Sequence, residues 1–138
     1  MTDALSTVNW LAVLLASLAH AVLGSAWFGG IVGRRYAAVL GLADRSPPKP
    51  GPLFLAGPLV CGAITVATTA ILLRLLGIAT TGDALALGAL VALGYLVPMT
   101  VTIAINPLFP RPFAYALLNA PFFLLGSLAA CAILVALP

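Results

Sequence analysis

Four apolar runs, separated by short polar, proline-rich or glycine-rich stretches, make up most of this 138-residue chain. They cover about residues 8–32, 53–78, 84–105 and 113–137. A hydrocarbon core about 30 Å thick is crossed by about 20 residues of α-helix, and each run is long enough to do so. That layout leaves few folds open. In lipid the backbone must hydrogen-bond to itself, which permits helices or closed barrels. The alternating ten-residue segments of a barrel are missing. Only 7% of residues are charged and 63% are hydrophobic, whereas soluble domains carry about 25% charged residues to face water. The reading is therefore an all-α, integral membrane four-helix bundle, one transmembrane domain over residues 1–138. The first run has no basic leader and holds His20 and Trp27, so it reads as a membrane helix and not as a cleaved signal.

The loops suggest an orientation. Arg34, Arg35, Arg45 and Lys49 stand between the first two runs against Asp44, and Arg111 precedes the last run. The loop "ATTGD" has no basic residue, and the N-terminal tail carries only Asp3. The positive-inside rule then places both basic loops in the cytoplasm and both termini outside a cell membrane. The net charge of +3 is accounted for as this topology signal, and no basic face suited to nucleic acid is present. "RSPPKPGP" is expected to form an extended link, because consecutive prolines cannot continue a helix. Arg74, near the outer end of the second run, is expected to snorkel to the interface. The alternative is that it closes a cavity beside Asp83, itself expected to cap the third helix.

Polar residues inside the runs fall on stripes. In the first run Ser17, His20, Gly24 and Trp27 follow helical steps, and in the second Cys61, Thr65 and Thr68 do the same. Tyr95, Met99, Thr102 and Asn106 form a third stripe, and Tyr115, Asn119, Phe122 and Gly126 a fourth. Polar groups facing lipid are costly, so the four stripes are expected to converge on a mid-membrane pocket that widens towards the cytoplasm. Kinks at Pro98 and Pro121 would add room. Singly, Ser, Thr and Asn in spans most often bridge helices at about 0.6 kcal/mol each. His20 stands apart as the sole histidine, titratable and central in its span.

Several chemistries are argued down by what the residues lack. There is no glutamate, and Asp3, Asp44 and Asp83 all fall in tails or at helix ends, so an embedded carboxylate for cation export is missing. One histidine cannot ligate haem twice, and no Cys/His cluster suits zinc. Cys61 and Cys131 form no C-x-x-C pair. No metal and no cofactor is expected.

The opening "NWLAVLLASLAHAVLGSAWF" and the closing "GYLVPMTVTIAINPLFPRPFAYALLNAPFFLLGSL" resemble a bacterial membrane family known only as domain of unknown function 1761. The shared features are Asn9-Trp10, Gly24 and Trp27 in the first span, and Arg111-Pro112 with Asn119 at the last. The resemblance covers nearly the whole chain and implies a small four-helix membrane protein, with no activity attached. Phe28 stands where such sequences more usually have Tyr.

Two functional classes follow from the residues. One is a metal-free intramembrane enzyme, an isomerase, cyclase or ring-opening hydrolase. In it His20 moves a proton and Tyr95 is its catalytic partner, while Trp27, Thr65, Met99, Thr102, Asn106 and Asn119 bind an apolar substrate. The other is a non-catalytic protein that binds or passes a lipophilic molecule, or packs as a subunit against other helices. The expected partners are the lipid bilayer and an apolar small molecule. Four short helices enclose little volume, so a homodimer is one way to complete a site.

The topology is open to direct measurement. In a variant without Cys61 and Cys131, a single cysteine introduced at position 81 should react with an impermeant thiol reagent from outside, and one at position 46 should not. The opposite pattern would invert the assigned orientation.

Overall fold

The computed structural model describes residues 5–43 and 51–137. Asp3 and most of the proline-rich link, with Asp44, Arg45 and Lys49, lie outside the described residues. Five helices form: α1 (Trp10–Ile31), α2 (Gly33–Val39), α3 (Pro52–Leu75), α4 (Thr81–Ala104) and α5 (Pro112–Ala136). All except α2 are long and apolar enough to cross a membrane, and no strand occurs among the described residues. The termini and the α3–α4 connection share one end of the bundle, the terminal end. The α1–α3 and α4–α5 connections share the other, the loop end.

Local chemistry sets the helix boundaries. Asn9 caps α1: its side-chain oxygen accepts from the Leu11 and Ala12 amides at 3.1 and 3.2 Å, satisfying donors the helix cannot. Its amide nitrogen also donates to the Leu137 carbonyl at 3.3 Å, tying the start of α1 to the end of α5. Pro52 and Pro112 open α3 and α5, where a missing N–H costs nothing. Gly77, at φ 65°, closes α3 in the left-handed conformation that glycine adopts freely. The cap of α4 is Thr80 and not Asp83. Thr80 Oγ1 accepts from the Asp83 amide at 3.1 Å and donates to the Asp83 carboxylate at 2.7 Å, so one hydroxyl caps the helix and holds the acid in its first turn.

Two of the spans are not wholly α-helical. Ala26–Ile31 in α1 and Ala92–Leu96 in α4 are π turns. In α4 the π turn immediately precedes Pro98, and the Val97 amide reaches back five residues to the Ala92 carbonyl. The distortion expected at Pro98 thus takes the form of a π turn. Its effect is on facing. Steps of four drift by about 40° each in a regular α-helix, and a π turn absorbs one extra residue. Ala84, Gly88, Ala92, Leu96, Thr100 and Ala104, each four apart, therefore stay on the inward side, all buried except half-buried Leu96.

That inward ridge packs on α5, the hub of the bundle, which also contacts α1 and α3; α1 packs on α3 as well. Lipid tails are as apolar as leucine, so these contacts gain by close packing more than by hiding from water. Small residues make the approach close. A Cβ on Gly88 would lie 3.0 Å from both the Cys131 Sγ and the Ser127 carbonyl oxygen. The buried cluster, including Ala12, Ala16, Val66, Leu73, Leu87, Cys131 and Leu134, sits in the half of the bundle nearer the terminal end. In the other half none of residues Pro52 to Cys61 of α3 is buried. The core is lopsided.

Gly88→Val should lower the stability of the purified protein by about 1–3 kcal/mol, the usual cost of overpacking, because a backbone carbonyl cannot move aside. Gly57→Ala, where a Cβ meets nothing within 4 Å, should be neutral or better. Thermal midpoints in one detergent compare them; equal midpoints would refute the close α4–α5 contact.

Candidate functional site

His20 lies at mid-length of α1, about 16 Å of helix from either end. Its imidazole fills the seam between α1, α3 and α5. A Cβ on Gly126 of α5 would come within 2.8 Å of ring atoms Cε1 and Nδ1, and one on Gly62 of α3 within 3.0 Å of Cδ2. Only glycine leaves room for the ring on both sides. Phe122 covers it from the loop end, ring centroids 5.0 Å apart. Nδ1 is buried and, beside the Gly126 backbone, makes no well-formed hydrogen bond among the described residues. An unpaired buried polar atom of this kind costs about 1–3 kcal/mol.

From His20 a continuous file of aromatic rings runs to the loop end. Phe122 meets Phe28 at 5.1 Å, Phe28 meets Tyr36 at 5.2 Å, Tyr36 meets Tyr115 at 5.5 Å and Tyr115 meets Phe109 at 4.8 Å. Most are tilted or edge-on, the arrangement that ring quadrupoles favour. The Tyr36 hydroxyl donates to the Tyr115 hydroxyl at 3.2 Å. Beside the file, Trp27 Nε1–H donates to the Leu118 carbonyl at 3.0 Å, close to the Leu117 carbonyl that Pro121 leaves without its helical donor. A Cβ on Gly24 would lie 3.3 Å from the Phe122 ring. The polar stripe of α1 thus meets the stripe of α5 along its length.

The other two stripes do not join them. Tyr95 is 70% and Met99 61% exposed, and Thr102 is exposed as well. The expected convergence of His20 and Tyr95 on one mid-membrane pocket is therefore not formed within a single chain. Two physical reasons account for it. The π turn keeps the small-residue ridge of α4 inward and so turns the Tyr95 stripe out. The polar side chains are also satisfied on their own helices: Thr102 donates to the Pro98 carbonyl at 3.0 Å, Thr65 to Cys61 at 3.0 Å and buried Asn119 to Tyr115 at 2.7 Å. A hydroxyl bonded four residues back can face lipid at little cost. Asn106 closes the turn after α4, donating to the Ile103 carbonyl and accepting from the Leu108 amide at 2.8 Å. Thr65 is half-buried one turn beyond Gly62, whereas Cys61 and Thr68 are exposed.

Two cavities lie at the ends of the bundle, while at mid-length the imidazole itself occupies the seam. One of about 280 Å³ at the terminal end is lined by Asn9, Ala12, Leu73, Arg74 and Leu134 among others. Arg74 thus lies at the rim of that crevice, while Asp83 is held by Thr80. A shallower groove of about 280 Å³ at the loop end is lined by Arg35, Arg111 and apolar residues of α2 and α5. Among the described residues no group of three His, Cys, Asp or Glu side chains could hold a metal ion.

Of the rings in the aromatic file, Phe28, Tyr36 and Phe109 lie on none of the four polar stripes; Tyr36, next to the basic pair Arg34 and Arg35, reads from sequence as an interface anchor. The available signal was the density of aromatic residues flanking the first loop and opening the last span. Burial, and then the Tyr115 hydroxyl, push the Tyr36 pKa well above its ordinary value of about 10. A raised folded-state value means that the neutral phenol stabilises the fold fully below about pH 10 and that this contribution is lost as pH rises beyond it. Tyr36→Phe should cost about 1 kcal/mol at neutral pH through the lost hydrogen bond and flatten the alkaline fall in stability. Superimposable alkaline limbs for the two proteins would contradict the buried Tyr36–Tyr115 pair.

No curated protein and no solved structure matches the chain. Residues 11–135, which span α1 to α5 almost entirely, match the family model described as protein of unknown function (DUF1761). By that match over nearly its whole length, with which the four apolar helices agree, the chain belongs to the DUF1761 family.

Proposed function

We propose that the protein binds a lipophilic molecule drawn from the bilayer and holds its one polar group at His20. The observation that carries this reading is an imidazole clamped between Gly62 and Gly126 whose buried Nδ1 has no well-formed hydrogen bond among the described residues. A histidine serving only to bridge helices would bond its ring nitrogens across the seam, as the Trp27 indole does to the Leu118 carbonyl. Below His20 the first ten residues of α3 stand clear of the bundle, and Ser25, Ala26, Gly29 and Gly30 of α1 are exposed. That side is open to an apolar molecule. A half-turn about χ2 exchanges Nδ1 with Cδ2 and brings the nitrogen to the Gly62 side, where the opening begins. Thr65, one turn along α3, adds a hydroxyl oxygen.

The acid–base alternative has less support, because Tyr95 lies outside the seam and His20 has no side-chain hydrogen-bond partner among the described residues. Tyr95, Met99 and Thr102 would reach a ligand only across an interface with a second copy. In the proposed arrangement the loop end, with Arg34, Arg35 and Arg111, faces the cytoplasm of a cell membrane, and both termini face outward.

A diazirine-bearing long-chain alcohol tests the site. Photolabelling in nanodiscs should concentrate on peptides from residues 52–65 and around His20. It should fall about tenfold in His20→Phe, the worth of one hydrogen bond of about 1.4 kcal/mol, and persist in His20→Gln. Equal labelling of wild type and His20→Phe would overturn the proposal. Chemical conversion of the alcohol by wild type, lost in His20→Gln, would replace the binder with an acid–base enzyme.

A further inference from the structure

We propose that the loop-end groove between α2 and α5 is a binding site for the phosphate of an anionic phospholipid. Arg35, in the helix that follows α1, and Arg111, the residue before α5, come from segments far apart in sequence and line one groove. Between them the groove is floored by Ala38, Ala114, Leu117 and Leu118. Two guanidinium groups above an apolar floor complement an amphiphile with an anionic head and acyl tails, and guanidinium forks match phosphate oxygens. No carboxylate competes among the described residues: the one acid there is Asp83, at the opposite end and bonded to Thr80.

The level of the groove decides between a lipid headgroup and phosphate from solution. Arg111 abuts the first residue of a membrane-spanning helix, and Arg35 follows the end of another by four residues. Both guanidinium groups therefore stand where headgroups lie, and Leu117 and Leu118 lie one to two turns deeper, at the depth of acyl chains. A free phosphate would leave that floor unused.

Trp27 offers a built-in reporter, since its indole bonds to the carbonyl of Leu118 in the groove floor. In a Trp10→Phe background it is the sole tryptophan. Its fluorescence is measured in nanodiscs containing phosphatidylglycerol or phosphatidylcholine brominated on the acyl chains. Quenching should favour phosphatidylglycerol about fivefold or more, and each of Arg35→Gln and Arg111→Gln should reduce that preference about fivefold, the effect of one interfacial cation. Using the single variants keeps the test readable if the double variant does not fold. Arg34→Gln, an exposed cation outside the groove, should leave most of the preference. An equal loss in Arg34→Gln would show diffuse surface charge and overturn the site. Inorganic phosphate at matched ionic strength should not compete; abolition of the preference by phosphate would overturn the lipid source.

Discussion

A backbone in hydrocarbon has no water to bond, and the same scarcity governs the side chains of this bundle. Ser17, Thr65, Thr69, Thr100, Thr102 and Asn119 each donate to the carbonyl four residues before them. Once satisfied on their own helix, they exert little pull towards the interior. The interfaces are then decided by shape, with α4 laying Ala84, Gly88 and Ala92 against α5 and α1 laying Gly24 against Phe122. His20 is the side chain that this economy does not reach, since its Nδ1 makes no bond to the Ala16 carbonyl four residues back. It is accommodated by removing two Cβ atoms from its neighbours instead.

This explains which parts of the molecule could be read from residue order. The spans and the meeting of the His20 stripe with the Asn119 stripe follow from spacing, since α5 and the first half of α1 are regular helices. The face of α4 does not. A stripe drawn through Tyr95, Met99, Thr102 and Asn106 assumes α-helical periodicity through a stretch that holds a π turn, and it also assumes that Thr102 needs an interior partner. The Pro98 position hinted at a distortion but not at its kind. The aromatic file was hidden for another reason: Phe28, Tyr36, Phe109, Tyr115 and Phe122 belong to four segments, and no periodicity links them. Only the packing of α2 beneath α1 and against α5 brings Tyr36 to Tyr115.

The two π turns and the glycine pairs share a role in this arrangement. Each lets a backbone follow its neighbour more closely than a regular helix of larger residues would. The π turn of α1 carries Trp27 and Phe28, so the irregular segment also holds the indole bonded to α5 and a ring of the aromatic file. π turns concentrate at functional sites in proteins generally, and here one lies directly beneath the histidine. The Asn9 link to Leu137 ties the outermost turns of α1 and α5, so the tightest part of the bundle is held at both its ends, by that amide above and by the imidazole seam below.

The lopsided core has a consequence for traffic in the plane of the membrane. Above His20 the four helices are closed against one another by Val66, Leu73, Leu87 and Leu134; below it α3 begins with a stretch containing Gly57 and Pro58 that touches little else. The bundle is thus packed tightly towards one leaflet and loosely towards the other. A ligand of the kind proposed for His20 would have its lateral way in from the looser leaflet, and the asymmetry that sets this direction belongs to the resting fold and needs no gate.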